Sequence, residues 1–460
     1  MKKIVAALLV GAILLGGTGC GSGGASDTAS QSSPQPVAES DSAVQETGEK
    51  EGVIELVYWK SYRVNQDAVD KFNADHPNIH VTAEVFPDHA STLQKIQVQA
   101  SAGSAQMPNV IQLDTCMTAT VDSVAPLLDL KPYLDKSDTL KLDNFYDTFQ
   151  EEAYVGDKVA GLHVCANCDV LFYNKEIFEQ AGLDTENPPS TWDEVIAAGK
   201  QIKEKCGNDI IPFAYTGITG DYYEQFSWEW QAMVQSAGGA LFNDDYTEPL
   251  FNSPEGIEAL QFLVGSVTDT QIATLNYPEK GFENGKVGMY MDGTWSINTY
   301  QEALGENLGT GLMPGKVESK VMVGGDQMMI VDSKDEAVND AAFEFLTYMM
   351  SEEVVIANSK EQGELVCQKP IAETEVYQEY LSASSSMQVA QSAMDHCAYR
   401  ARVPWYDEWS QAVYAVCEPC LYGEISCEDA LAELELLNIP CSIALFTYFN
   451  LAVPNKGYYQ

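Results

Sequence analysis

Aromatic rings next to short polar or charged side chains form the most chemically suggestive pattern in this sequence. Tyr223 and Trp228 lie in its densest aromatic run. Trp228 and Trp230 cannot both face one side of a helix, so at most part of this run contacts a ligand, and we expect Tyr223 and Trp228 to be that part. Further along, Arg402 and Trp405 bring a basic group beside a ring. Rings stack on C–H faces and polar groups pair with hydroxyls, so the pattern predicts binding of a small polar solute. Core packing is the alternative for each ring, and a salt bridge to this acidic body is the alternative for Arg402.

Two more candidates follow predicted strands. The strand Val53–Tyr58 runs into Trp59. A later strand, Val110–Leu113, ends at Asp114. Helices and a further strand, Ile79–Phe86, separate the two, and this alternation predicts an α/β fold with a parallel sheet. Because such sheets hold ligands beyond the carboxyl ends of their strands, we expect Trp59 and Asp114 at a ligand site, with core packing as the alternative for Trp59.

Helix starts are marked by capping residues. Asn65 precedes an apolar stripe, and the segment Ser190–Glu194 contains two overlapping capping boxes. Ser253, Ser333 and Ser426 open three more predicted helices. These helices would separate the strands and position the loops that carry the candidate residues.

Known catalytic signatures are absent from the sequence, which has no nucleophile elbow, no HExxH zinc motif and no phosphate loop. A secreted glycoside hydrolase is the enzymatic alternative, and it needs two carboxylates about 5 to 10 Å apart. With 68 acidic residues such a pair can always be imagined, so their number does not discriminate. The formal net charge of −43 makes nucleic acid and anionic lipid headgroups poor partners.

The start of the chain resembles an export signal. Two lysines precede the apolar run Ile4–Leu15, which is too short to cross a bilayer as a stable helix, and small residues then lead to Cys20. We expect residues 1–20 to form a lipoprotein signal ending at Cys20, which would carry the lipid; an ordinary secretory signal is the alternative. Residues 21–51 contain no Leu, Ile or aromatic residue, so we expect a flexible tether. The body would then be lipid-anchored on the extracytoplasmic face of the cell membrane.

Ten cysteines remain besides Cys20, and two CxxC pairs stand out, Cys165–Cys168 and Cys417–Cys420. Pairs that met in space could hold zinc, but the spacing does not require it. We expect free or disulfide-bonded structural cysteines, with no bound metal and no cofactor. Residues 439–460 contain the apolar run Ser442–Val453, which is too short to span a membrane and is expected to pack on the body.

Five segments in chain order carry a resemblance to a known family. They are Val57–Trp59, Phe72–Ile79, Met107–Ile111, Leu171–Glu194 and Gly288–Trp295. From residue 53 to residue 435 the chain resembles the family 1 extracellular solute-binding proteins of carbohydrate ABC importers, which include the maltose-binding type. The resemblance implies an α/β, two-lobed periplasmic-binding-protein-like fold with a hinge and an interlobe ligand cleft.

The resemblance also implies a division of the body and further ligand contacts. The expected divisions are 52–160 for most of the N-terminal lobe, 161–330 for most of the C-terminal lobe and 331–438 for helices that complete both. Trp295 would stack on sugar, and Asn167 occupies the place of an acidic contact. Gly325 and Asp326, at the expected end of a strand, would let the backbone approach the ligand closely.

The implied function is capture of a sugar or oligosaccharide and its delivery to the membrane permease subunits of an ABC importer. A monomer without enzymatic activity is expected. A metal or polyamine receptor is a further alternative, because Tyr222 and Tyr223 resemble the tyrosine pair of iron receptors and the acidic body would attract cations.

Overall fold

The computed structural model describes residues 52–103, 107–219 and 223–437. The predicted signal with Cys20, the tether at 21–51 and the apolar tail at 439–460 lie outside the described residues. So does the side chain of Tyr223.

The described helices and strands fall into three consecutive stretches of the chain. The first contains β1 (Ile54–Ser61), α1 (Gln66–Asp75), β2 (Ile79–Phe86), α2 (His89–Ser101), β3 (Val110–Asp114), α3 (Thr118–Val124), α4 (Lys131–Lys136), α5 (Asp147–Glu152), β4 (Tyr154–Val155), β5 (Lys158–Val159) and β6 (Leu162–His163). The second contains β7 (Asp169–Asn174), α6 (Lys175–Ala181), α7 (Trp192–Cys206), β8 (Ile211–Tyr215), α8 (Thr216–Thr219), α9 (Tyr223–Ser236), α10 (Pro254–Thr268), β9 (Val287–Gly293), α11 (Ile297–Leu304), β10 (Leu308–Gly311) and β11 (Val321–Met322). The third contains β12 (Asp326–Ile330), α12 (Glu336–Met349), α13 (Glu352–Gln362), α14 (Lys369–Ala372), α15 (Glu375–Ser382), α16 (Ser385–Ser392), β13 (Cys397–Ala398), α17 (Tyr406–Leu421) and α18 (Cys427–Leu436).

Two main sheets organise the described residues. The first has the order β2-β1-β3-β12-β6, and the second has the order β10-β7-β9-β8. Strands β1, β2 and β3 are parallel, as the sequence predicts. The prediction of a parallel sheet is wrong for the rest of the first sheet, because β12 pairs antiparallel with β3 and β6 pairs antiparallel with β12. We refer to the bodies built on these sheets as the first and second lobes.

Local capping explains several helix starts. The Asn65 side chain accepts a hydrogen bond from the Ala68 amide at the start of α1, and Thr191 forms a capping box with Glu194 at the start of α7. The side chains of Ser253 and Ser426 cap α10 and α18 in the same way, as predicted.

Two predicted boundaries are wrong. The cap of α12 is Asp335 rather than Ser333. Strand β1 continues to Ser61, so that Trp59 lies within the strand instead of in the loop after it.

Within residues 52–437, as far as they are described, three segments pass between the lobes, and they are hydrogen-bonded to one another. Asn167 and Gly324 exchange backbone hydrogen bonds at 3.1 and 2.8 Å, and Ala166 and Leu365 do so at 3.0 and 2.8 Å. Gly325 has a φ of +116°, and a Cβ there would overlap the Cys165 carbonyl oxygen. Glycine is therefore required where this crossing bends into β12.

Two strands of the first sheet come from later in the chain. Strands β6 and β12 fall inside the range 161–330, yet both pair in the first sheet. Asp326 is the first residue of β12 and Gly325 directly precedes it, so the two lie at the start of a strand instead of at its end. Helix α12 packs on β1 and β12, whereas α17 and α18 pack on helices of the second lobe.

Candidate ligand-binding site

A cavity of about 530 Å³ opens where the two lobes meet. The carboxyl ends of β1 and β3, the start of β12 and the loops after β8 and β9 contribute to it. The described lining residues are Lys60, Ser61, Tyr62, Arg63, His89, Asp114 and Asp326 from the first lobe; Cys165, Asn167, Gln362, Gly363 and Glu364 from the crossing segments or beside them; and Thr216, Glu224, Gln225, Trp228, Trp295 and Arg400 from the second lobe. Its volume falls within the range of about 300–1,000 Å³ that small-molecule sites occupy.

Aromatic rings form the second-lobe side of the cavity. The centres of the Trp228 and Trp295 rings lie 5.8 Å apart at an angle of 32°. Trp228 is 7% exposed and Trp295 is 38% exposed, so Trp295 presents the larger free surface. Tyr62 adds a ring from the first lobe, 60% exposed and edge-on to the imidazole of His89 at 4.9 Å. The cavity therefore offers aromatic surface from both lobes.

The turn after β9 holds Trp295 in place. The buried Asp292 carboxylate accepts hydrogen bonds from the Gly293 amide at 2.7 Å and from the Thr216 hydroxyl at 3.0 Å, and Tyr300 donates to its other oxygen. A Cβ at Gly293 would overlap the Trp295 ring. An anchored carboxylate followed by glycine thus lets this ring fold back over its own backbone.

A buried ion pair forms the first-lobe side. Lys60 Nζ lies 3.0 Å from Asp326 Oδ2, and Gln112 Nε2 donates to the same oxygen at 2.9 Å. His89 Nε2 lies 3.6 Å from the other carboxylate oxygen. Burial opposes ionisation of Asp326, but the charges of Lys60 and His89 outweigh it and lower the pKa of this carboxyl.

A second ionic group joins the lobes. Arg400, 1% exposed, places Nη2 2.6 Å from Asp114 Oδ1 of the first lobe and Nη1 3.8 Å from Glu224 Oε1 of the second. Its guanidinium carbon also lies 5.1 Å from the centre of the Trp228 ring. A planar cation between two carboxylates and a ring is well suited to a partly desolvated site.

The two carboxylates beside Arg400 titrate differently. Burial opposes ionisation of Asp114, but Arg400 and His89 outweigh it and set the pKa of Asp114 at about 2. Glu224 lies farther from Arg400, and burial together with the charge of Asp114 raises its pKa to about 6. At neutral pH both groups are ionised and accept hydrogen bonds.

Several polar atoms of the lining have no partner within the described part of the chain. They are Trp228 Nε1, Arg400 Nε and His89 Nδ1. The first two are hydrogen-bond donors on side chains that are more than nine-tenths buried.

The geometry does not favour a metal ion at the cavity. Within the described residues, Asp114, Cys116 and Glu224 bring three potential ligand atoms within 4.8 Å of one another. The guanidinium of Arg400 already pairs with Asp114 there, and its positive charge opposes a second cation. The cysteines of the two CxxC pairs are free in the structure and do not form a group of this kind.

The structure brings five of the predicted site residues to the cavity lining: Asp114, Asn167, Trp228, Trp295 and Asp326. Gly325 lies in the crossing segment directly beside them. Whether these residues bind a ligand stays a prediction.

Three predicted residues lie outside the lining. Trp59 is 2% exposed and packs edge-on against Phe86 at 5.2 Å, because it lies within β1. Trp405 packs against Phe242 at 5.3 Å. Arg402 donates to the carbonyl oxygen of Glu151 in the first lobe.

Sequence reasoning missed several lining residues. Lys60 and Tyr62 lie just beyond the predicted end of the first strand at Tyr58, and an aromatic residue in that position is itself a usable signal. The sequence predicts Arg402 as a ligand contact, whereas the lining residue is Arg400, two positions earlier in the chain. Gln362 and Glu364 had no signal, because only the crossing of the chain between lobes brings them to the cavity.

Two sheet-based lobes, hydrogen-bonded crossing segments and an enclosed polar and aromatic cavity between them define a two-lobed solute-binding protein. Residues 67–383 match the family model described as bacterial extracellular solute-binding protein, and the chain belongs to this family.

Individual relatives have different names. The chain is 30% identical over 241 residues to the arabinooligosaccharide-binding protein of Halalkalibacterium halodurans, covering 49% of this chain and 48% of that protein. It is 24% identical over 339 residues to the sn-glycerol-3-phosphate-binding periplasmic protein UgpB of Yersinia pseudotuberculosis, covering 68% and 74%. The chain spans about half the length of the first curated relatives it matches.

Solved structures share the fold. The crystal structure of the cyclic alpha-maltosyl-1,6-maltose binding protein of Arthrobacter globiformis matches with a TM-score of 0.75 and 28% identity, covering 85% of this chain and all of that one. This likeness confirms the expected two-lobed α/β fold. Among the described helices, none has the length and apolar character needed to cross a membrane.

Proposed function

We propose that the protein is an extracytoplasmic receptor that binds a neutral sugar or short oligosaccharide between its lobes without altering it. The observation that carries this proposal is the combination of aromatic surface with charges that are already paired. Tyr62, Trp228 and Trp295 supply ring faces for the C–H faces of a sugar. Asp326 faces Lys60, and Asp114 faces Arg400, so the cavity has little net charge to offer a charged ligand.

Paired charges also suit the rim of a sugar. A carboxylate fixed by a cation keeps free lone pairs that accept hydrogen bonds from hydroxyls. A phosphate would meet Asp114, Glu224 and Asp326 in addition to the cations. A polyamine would meet Lys60 and Arg400. Neutral ligands avoid both costs.

The relatives support the ligand class. The names of two similar proteins specify an arabino-oligosaccharide and a cyclic maltosyl-maltose as their ligands. Another is named for sn-glycerol 3-phosphate. The charge pairing around Asp114 and Asp326 leads us to place this chain with the sugar binders.

Membership in the family supports a role in ABC import. In this proposal the closed, loaded form docks on the permease subunits, and a lipid on Cys20 keeps the receptor near them. Replacing Cys20 by Ser should abolish incorporation of labelled palmitate and release the protein from membranes. Retention of the label would exclude Cys20 as the anchor.

One pair of carboxylates in the cavity bears on the alternative that the protein is a glycoside hydrolase. Asp114 and Glu224 have carboxylate oxygens within 4.8 Å and pKa values of about 2 and about 6, a division that glycosidases use for a nucleophile and an acid. Asp114, however, is held by Arg400 and by the Cys116 amide at 2.9 Å, which lowers its nucleophilicity.

A ligand panel tests the proposal. Thermal shift and calorimetry would compare maltose, maltotriose and arabinotriose with glycerol 3-phosphate, spermidine and ferric iron. We expect saturable binding of at least one neutral sugar, with a melting temperature that rises with its concentration. Binding confined to charged solutes would refute the proposal.

A further inference from the structure

A short segment of the second lobe reaches across to the first lobe at three alternate residues. This segment, residues 399–405, is called the strap below. Arg400 pairs with Asp114 at the end of β3, Arg402 donates to the Glu151 carbonyl oxygen in α5, and the Pro404 carbonyl oxygen accepts from Thr120 in α3 at 3.2 Å.

Both ends of the strap are fixed to the second lobe. It follows β13, which pairs with β11, and the Ala398 carbonyl oxygen accepts from the Val323 amide at 2.8 Å. At its other end Trp405 packs against Phe242, and α17 then packs along α9. Contacts of the strap with the first lobe are therefore contacts between lobes, and separating the lobes must break them.

Arg400 has one acidic partner in each lobe, Asp114 in the first and Glu224 in the second. Its Nη1 lies 3.8 Å from Glu224, which belongs to α9 of the same lobe. If the lobes part, the guanidinium leaves Asp114 and keeps Glu224, while Asp114 becomes hydrated. The buried cation is then not left alone, so the strap can release as well as hold.

We propose that the strap is an interlobe latch that raises the closed fraction of the unliganded protein and thereby its apparent affinity. The apparent dissociation constant equals the intrinsic one divided by the fraction of molecules already competent to bind. Contacts that favour closure thus strengthen binding without touching the ligand. The inference rests on the proposed function only for the premise that the closed form binds.

Two strap contacts lie outside the cavity and allow a clean test. The double variant Thr120→Val/Arg402→Met removes both while leaving every lining residue in place. Lys334→Met is the matched control, because it removes an exposed cation that pairs with Asp332 within one lobe. Thr120→Val alone serves if the double variant folds poorly, with a smaller effect in the same direction.

The measurement is the interlobe distance in the full-length protein. Fluorescent dyes would be attached through azido amino acids at Lys71 in α1 and Lys205 in α7, both exposed, because thiol dyes would react with native cysteines. Without sugar, we expect less energy transfer in the double variant than in the parent, because the mean distance between its lobes is longer. Energy transfer in the control variant should equal that of the parent. Maltotriose and arabinotriose are the probes, and we expect about fivefold weaker binding of whichever one the parent binds.

The outcomes separate the latch from the proposed function. An unliganded distance in the double variant equal to that of the parent would overturn the latch, whatever the sugars do. If charged solutes bind while the neutral sugars neither change the distance nor bind in any variant, the proposed function fails, and the unliganded comparison still decides on the latch.

Discussion

The pKa values of buried carboxyl groups are shifted in opposite directions in the two lobes. In the first lobe, Asp114 and Asp326 face Arg400 and Lys60, and their pKa values lie below the ordinary range. In the second lobe, Asp169 and Asp292 have hydroxyl, amide and carboxyl neighbours. Burial and, for Asp169, the charge of Asp292 raise their pKa values, that of Asp169 to about 8.

This difference in ionisation gives the two sides of the cavity different roles in ligand binding. The first lobe presents ionised, fixed acceptors suited to hydroxyls on the rim of a sugar. The second lobe presents rings, with Trp295 held by the buried Asp292 and its turn. Each prediction below removes one element of this contrast.

The largest effect is expected from Asp326→Ala. Lys60 is 7% exposed, and without Asp326 it would be a buried cation lacking its ionic partner. Removing one member of a buried pair costs about 3–5 kcal/mol, so denaturant unfolding should show a loss of at least about 3 kcal/mol.

A double variant without either charge sharpens this prediction. Lys60→Met/Asp326→Leu removes both charges and should be more stable than Asp326→Ala alone. Equal losses in the two variants would mean that the ion pair does not organise the first-lobe side.

Trp295→Ala should weaken sugar binding by about 1–2 kcal/mol while changing stability less, because its ring is 38% exposed and stacks on the ligand in our proposal. Calorimetry and thermal unfolding measure the two quantities. Tyr422→Ala removes a ring that is 63% exposed and distant in the chain from the cavity elements, and it serves as the control. Unchanged affinity in Trp295→Ala would remove this ring from the site.

The effect that is smallest per measured step is a change in the pH dependence of stability in Asp169→Asn. The pKa of Asp169 is raised above its ordinary value to about 8, so its contribution to stability is complete below pH 4 and is lost as the pH rises through 8. Replacing it by Asn should flatten the fall in unfolding free energy between pH 5 and pH 8 by about 0.5–1 kcal/mol per pH unit.

Denaturant unfolding at several pH values measures this slope. Asp335→Asn, on the exposed cap of α12, is a control that should leave the profile unchanged. A parent profile that rises over this range, or an unaltered slope in Asp169→Asn, would contradict the assignment of a neutral carboxyl to the second lobe.

Local signals in the sequence predicted the parts of the fold that depend on neighbours in the chain. The strand ending at Asp114 and the capping box of Thr191 and Glu194 are examples. The antiparallel entry of β12 was not predictable, because it depends on a return crossing from the other lobe. Resemblance to a family, more than periodicity, gave the two-lobed fold.

The site was predictable only in part for the same reason. Asp114 and Trp228 carry signals in their own elements, and both line the cavity. Arg402 and Arg400 lie on one segment with equal chemistry in the sequence, and only the position of Asp114 across the lobes selects Arg400. Trp59 missed the cavity because β1 continues for two residues beyond it.

Calorimetric titration of the full chain with neutral and charged solutes, followed by chromatography of the recovered solute, tests the central claim most directly. We predict that one neutral sugar binds with a stoichiometry near one and is recovered intact. Binding of only charged solutes, or recovery of shortened sugar, would contradict the account.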